Sequence, residues 1–190
     1  MKNVEIIDEI NQRGLFLRKI SLDDINFVYE SLNANEKTTT KFLSLGPIMS
    51  KDHAKKLIKN YLDYWKRQIQ FNYVIEIRKK GNKKDTIKKT GSISLWGISW
   101  LHRRAEIGIW VNSKYWNQGI AKRALNLMKI LSFNHLKLNR LEAHISFENY
   151  KSIQLFKKSG FTQECILKQY LNLRGKFTDA VVLAYINETQ

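Results

Sequence analysis

The stretch Tyr115-Trp116-Asn117-Gln118-Gly119-Ile120-Ala121-Lys122-Arg123-Ala124-Leu125 holds the residues with the plainest chemical use. A β-like segment, 105–111, runs into it, and an amphipathic helix reaching toward Leu136 runs out. A strand, a short loop with one glycine and a helix together make an anion cradle. The first turn of a helix has unpaired backbone N–H groups, and the helix dipole adds roughly half a positive charge there. Gly119 lets a ligand approach the backbone, and the small Ala121 keeps that approach clear. Lys122 and Arg123 add charge, although helical spacing lets only one of them face a phosphate easily. The same residues would also serve as an ordinary strand-to-helix connection. Elsewhere, His53, His102, His135 and His144 lack metal-ligand spacing and Cys165 is the single cysteine, so no metal is expected.

The elements that hold this loop follow from periodicity and punctuation. Residues 1–13 read as an irregular lead-in or a short extra turn, and 15–20 as a first strand. Ser21 caps a helix, with Asp24 completing a weak capping box, and the helix runs through Ile25, Val28 and Leu32 to Asn33 or Asn35. Residues 34–50 hold three consecutive threonines and Gly46-Pro47, and read as a long loop of the kind that is often functional. Ser50 caps a second helix with Ala54, Leu57, Ile58, Tyr61, Leu62 and Trp65 on its apolar face. Strand-like segments 71–78 and 90–101 are joined by a connector with six lysines and a Gly81-Asn82 turn signal. After 105–111 and the cradle come a strand at 140–146, a helix opened by Glu148-Asn149 and stopped at Gly160, and strands 161–171 and 177–186 about Arg174-Gly175. This order implies an α/β (or α+β) chain with a sheet of roughly seven strands and helices on both faces.

Length and composition fit one domain, 1–190, with 1–13 as its lead-in. Hydrophobic residues make up 43% and aromatics 12%, which excludes a disordered chain, and one proline with nine glycines leaves no linker at which to divide it. A lone cysteine excludes an internal disulfide and fits a reducing cytoplasm. The longest uncharged run, Thr90 to His102, is too short and polar to cross a membrane, and the N-terminus lacks a signal peptide's apolar stretch. The net charge of +16, from 33 basic and 17 acidic residues, points to an anionic partner such as nucleic acid, a ribosomal surface, membrane phosphates or a polyphosphate ligand. A lysine-rich composition with no partner attached explains it equally, because the charge is dispersed. Oligomeric state, monomer or homodimer, is left open.

Four stretches taken in order resemble the GCN5-related N-acetyltransferases (GNAT), in particular the ribosomal-protein N-terminal acetyltransferase (RimJ/RimL) type. They are Leu15-Phe-Leu-Arg18 with Asp23-Asp24, Gly91-Ser-Ile-Ser-Leu95 with Arg103–Val111, Tyr115–Ala121, and Glu148-Asn-Tyr-Lys-Ser-Ile-Gln-Leu-Phe-Lys-Lys-Ser-Gly-Phe161. The resemblance spans nearly the whole chain. It departs from much of the superfamily at Trp116 and Ala121, in forms usual for the Rim-type branch. It also departs at Phe156, four residues before Gly160, where many acetyltransferases carry a tyrosine acid.

The resemblance implies a single GNAT-like domain whose mixed sheet splays between two parallel strands, and direct transfer of acetyl from acetyl-CoA to an amine in a ternary complex. The pyrophosphate would lie on Trp116, Asn117, Gln118, Gly119, Ile120, Ala121 and Lys122, with the pantetheine along Ile109, Trp110 and Val111. A backbone N–H near Trp110 or Val111 would face the developing oxyanion. Glu106 is the candidate base, or else a structural carboxylate paired with Arg103 or Arg104. Asn149 resembles the family's cofactor-binding asparagine and also reads as an N-cap; Ser152 is the candidate donor to the thiolate, and Phe156 lines the cofactor. His144 and Tyr170 are candidate acceptor-site residues, with Asp179 and Tyr185 in the same last hairpin. The acceptor implied is a protein or peptide N-terminal α-amine, which loses its proton more readily than lysine (pKa about 8 against about 10.4). A small amine (polyamine or antibiotic) is the alternative, and a non-catalytic CoA-binding or nucleic-acid-binding protein a further one. Specificity is expected in loop 34–50, the second helix and the last hairpin.

Overall fold

A computed structural model describes residues 4–33, 37–81 and 85–188. The expected turn tip after Gly81 and part of loop 34–50 lie outside these. Eight strands form one sheet in the order β1-β2-β3-β4-β5-β6-β8-β7. In chain order they are β1 (Glu9–Gln12), β2 (Leu15–Lys19), β3 (Phe71–Lys79), β4 (Thr86–Ser99), β5 (Arg104–Val111), β6 (Arg140–Ser146), β7 (Thr162–Leu173) and β8 (Lys176–Ile186). The eighth strand beyond the seven expected is β1, which lies in the supposed lead-in. Arg13 (φ 49°) and Gly14 (φ 78°) turn the chain so tightly that Glu9–Gln12 pairs back on β2. Glu-Ile-Asn-Gln lacks apolar alternation because an edge strand held by its ladder and mostly exposed does not need it.

Helices cover both faces. On one, α1 (Ile25–Leu32) and α3 (Lys51–Lys66) bury Val28, Leu32, Ala54 and Ile58 against Ile20 and Val74. On the other, α4 (Ile120–Ile130) and α5 (Tyr150–Lys158) bury Ala124, Leu125, Met128, Ile153 and Phe156 against Ile93, Leu95, Ile107 and Leu183. The caps read from sequence are present. The Ser50 hydroxyl accepts from the His53 N–H at 3.1 Å, and Ser21 and Asp24 form a capping box around a 3₁₀ turn that leads into α1. Asp24 is fully buried there. Burial opposes its charge, but hydrogen bonds from Arg18, Lys89 and the Ser21 backbone outweigh that and hold its carboxyl below the usual range. Loop 34–50 contains a short helix, α2 (Lys37–Thr40), and rejoins the core at Ile48.

Every neighbouring pair is antiparallel except β5 and β6. A parallel pair needs a crossover, which α4 supplies. Their ladder runs only from Arg104↔Arg140 to Glu106↔Glu142, and beyond Glu106 the two strands diverge. The opening this leaves in the sheet is where the cradle loop, α4 and α5 converge.

Candidate active site

The splay opens into a cleft of about 1260 Å³. Its cofactor half is made largely of backbone. Asn112 N–H donates to Thr90 O at 2.8 Å, so by ladder alternation Trp110 also turns its N–H to β4, while Ile109 and Val111 turn theirs into the splay. The expected oxyanion donor therefore narrows from Trp110 or Val111 to Val111. Its carbonyl is occupied by the Trp116 indole N–H at 2.7 Å, which fixes the cradle against β5. The Trp110 ring stacks on Phe27 (centroids 5.7 Å apart) and forms a wall.

At the cradle, Asn117 (φ 60°) and Gly119 (φ 71°) are both left-handed, and Gly119 is the N-cap of α4 with no side chain closing the helix end. A β-carbon at Gly119 would meet nothing within 4 Å, so the position is glycine for its backbone angle and not for packing. The two basic residues separate as helical spacing requires. Arg123 donates to the carbonyls of Gln12 and Arg13, whereas Lys122 lines the cleft. Lys151 lies 5.1 Å from the Trp116 ring centroid and adds a second cation. Across the opening, Asn149 caps α5 by accepting from the Ser152 N–H at 3.3 Å, and both residues line the cleft. Phe156 is 2% exposed and packs edge-on against Phe161, so no hydroxyl is available where many acetyltransferases place a tyrosine.

The acceptor half is made of side chains. Residues 92, 94, 96, 106, 108 and 110 share one face of β4 and β5. Trp96 lies across Gly108, where a β-carbon would come within 2.5 Å of the indole ring, and its N–H donates to Glu106 Oε2 at 3.1 Å. His144 on β6 brings Nδ1 to 3.1 Å from the same oxygen, at an angle that makes the contact more ion pair than directed hydrogen bond. Its Nε2 lies 3.7 Å from Glu142, and Tyr170 packs edge-on against the ring at 5.1 Å. Contact with His144 holds the Glu106 carboxyl below its usual range against the effect of burial, with the Trp96 bond helping. The His144 imidazole is raised in turn, first by Glu106 and then by Glu142, against burial. Each shift favours the charged form of its own group, carboxylate on Glu106 and imidazolium on His144.

All the expected site residues line this one cleft: Glu106, Ile109 to Val111, Trp116 to Lys122, His144, Asn149, Ser152, Phe156 and Tyr170. The expected ion pair of Glu106 with Arg103 or Arg104 is absent. Arg103 donates to Lys137 O, and Arg104 lies 3.8 Å from Glu142. Of the last hairpin, Tyr170 reaches the cleft, delivered by an irregularity between Leu167 and Leu171. Asp179 instead pairs with Lys168 and the Gln169 N–H, and Tyr185 stacks on Phe133. Loop 34–50 contributes Thr39 and residues 41–45, and the second helix Leu57 and Tyr61. Sequence reasoning missed Trp96, Glu142 and the polar pair Asn72–Ser94. Only strand register brings these near Glu106, and alternation along β4 was the one signal for Trp96.

The sequence profile of the acetyltransferase (GNAT) domain matches residues 14–162. An uncharacterized N-acetyltransferase, YoaA of Bacillus subtilis, is 27% identical over 90% of this chain and 93% of its own. The spermidine N(1)-acetyltransferase of Vibrio cholerae is 26% identical over 87% and 88%. Among solved structures, the ribosomal L7/L12 α-N-protein acetyltransferase RimL, in complex with coenzyme A, superposes with a TM-score of 0.84 at 20% identity, covering 96% of this chain and 99% of that one. The splayed mixed sheet, the glycine-capped helix at its opening and this profile match together make the chain an N-acetyltransferase of the GNAT family.

Proposed function

We propose that the chain transfers acetyl from acetyl-CoA directly to the α-amine of a protein or peptide N-terminus. The acceptor reading rests on the charge of the cleft. Among the described residues that line it, the only carboxylates are Glu106 and Glu148. A polyamine carries several ammonium groups, for which the cleft offers few carboxylates. A peptide N-terminus brings one ammonium on a neutral chain, which Glu106 can meet while Phe42, Leu43 and Leu45 face its side chains. Its amine is also easier to deprotonate than an alkyl ammonium, with a pKa of about 8 against about 10.4. The net charge of +16 suits acceptor proteins carried on an anionic surface such as a ribosome, and the lone exposed Cys165 suits a reducing cytoplasm.

Bound acetyl-CoA would supply the thioester carbonyl that the amine attacks. The protein's part is to bind, orient and move protons. The free N–H groups at the start of α4 with Lys122 suit the pyrophosphate, and the edge of β5 at Ile109 and Val111 suits an amide chain. Glu106 takes the ammonium proton directly or through water, kept ionised by His144. The Val111 N–H meets the negative charge that develops on the carbonyl oxygen, and the Ser152 hydroxyl donates to the departing sulfur.

The spermidine acetyltransferases among the relatives favour a second reading, a polyamine acceptor. Thiol release with acetyl-CoA over N-terminal peptides, spermidine and spermine separates the two. Higher kcat/KM for peptides is expected, and turnover of polyamines alone would overturn the α-amine reading.

A further inference from the structure

One polar group in the cleft has no part in the chemistry above. Asn72 on β3 is 3% exposed, on a sheet face where its neighbour Val74 belongs to the apolar core. A buried amide costs free energy unless its partners are supplied, so its presence there calls for a use. The partners form a row. Gln70 Nε2 donates to Asn72 Oδ1 at 2.9 Å, and Asn72 Nδ2 donates to the hydroxyl of Ser94, its cross-strand neighbour, at 2.7 Å. All three residues line the cleft. With the Ser94 oxygen already accepting, its own hydrogen is the group it has left to offer, and among the described residues none accepts it.

Register fixes where that hydrogen is needed. Ser94 pairs with Gly108 and Trp96 with Glu106, so Ser94 and Glu106 are diagonal neighbours on one face, roughly 7 Å apart at the backbone. Gly108 between them carries no side chain, and the Trp96 indole floors the gap. An amine resting on Glu106 thus brings a carbonyl oxygen three bonds further on, as in an α-amino amide, within reach of Ser94.

We propose that the Gln70–Asn72–Ser94 row reads the carbonyl next to the acceptor amine, so that the enzyme selects α-amino amides, the chemistry of a peptide N-terminus, over alkyl amines. This rests on the α-amine reading above and names the atom that enforces it. The amide carbonyl accepts from Ser94, whose orientation Asn72 holds. An alkyl amine offers no acceptor there and leaves the hydroxyl unpaired.

The test compares alanine amide with isopropylamine, which keeps the methyl-bearing carbon but lacks the carbonyl, as acceptors for the wild type, Ser94→Ala and Ser94→Thr. The wild type is expected to favour the amide in kcat/KM. Ser94→Ala is expected to cut the amide-to-alkylamine ratio about tenfold, the size of one lost hydrogen bond, and Ser94→Thr, which keeps the hydroxyl, to restore most of it. An equal fall for both acceptors, or a ratio that does not move, overturns the row's role while leaving the α-amine reading standing. A wild type that acetylates isopropylamine or spermidine but not alanine amide overturns both.

Discussion

The two halves of the cleft are built from different materials. The cofactor half uses main-chain groups from short, local stretches: the start of α4 behind Gly119, the edge of β5 at Ile109 and Val111, and the capped start of α5 at Asn149. The acceptor half uses side chains gathered from β3, β4, β5, β6 and β7, namely Asn72, Ser94, Trp96, Glu106, His144 and Tyr170. A backbone cradle recognises a feature common to all its ligands and tolerates much sequence change around a few fixed positions. A side-chain pocket can be rebuilt one residue at a time. On the proposed reading, the backbone half takes the donor and the side-chain half the acceptor.

If the halves are separable, substitutions in one should leave the other's readout intact. The largest effect is expected for Glu106→Gln, which should lower kcat/KM about 10²- to 10⁴-fold, the usual contribution of a general base. Calorimetric acetyl-CoA affinity should stay at the wild-type value. Loss of binding together with turnover would join the halves. Gly119→Val is the reverse case. Forcing a β-branched residue to φ 71° costs about 1–2 kcal/mol at the helix start, so acetyl-CoA affinity should weaken about tenfold while kcat at saturation holds. A smaller effect is expected for Ser152→Ala, about three- to tenfold in kcat with KM for the amine preserved, read by single-turnover thiol release.

His144→Gln should have the smallest effect at neutral pH and a clear one below it. His144 holds the Glu106 carboxyl below its usual range, so the base stays ionised as pH falls until its lowered pKa is reached. Without the imidazolium that pKa rises. The acid limb of kcat/KM against pH should therefore move to higher pH, with the neutral plateau little changed. An unmoved acid limb would mean that Glu106 is not the titrating base.

The same contrast explains what the sequence made legible. The cradle, the α5 cap and the helix faces depend on neighbours within a few residues, so Gly119, Asn149 and the apolar stripe of α3 could be read directly. The chemical surroundings of Glu106 could not. Its partners lie ten residues away in Trp96 and thirty-eight away in His144, and only the register of β4, β5 and β6 brings them together. Arginines close in sequence are the natural expectation, and alternation does put Arg104 on the same face as Glu106, but its guanidinium lies beside Glu142 of the neighbouring strand. Strand β1 escaped notice because its ladder, and not its side chains, holds it in place.

The central claim is that this cleft acetylates an N-terminal α-amine. Mass spectrometry of a reaction offering one peptide with a free α-amine and one lysine, together with spermidine, tests it most directly. The account predicts a single acetyl group on the peptide α-amine. Acetyl found on spermidine or on the lysine, with the α-amine unmodified, would contradict it.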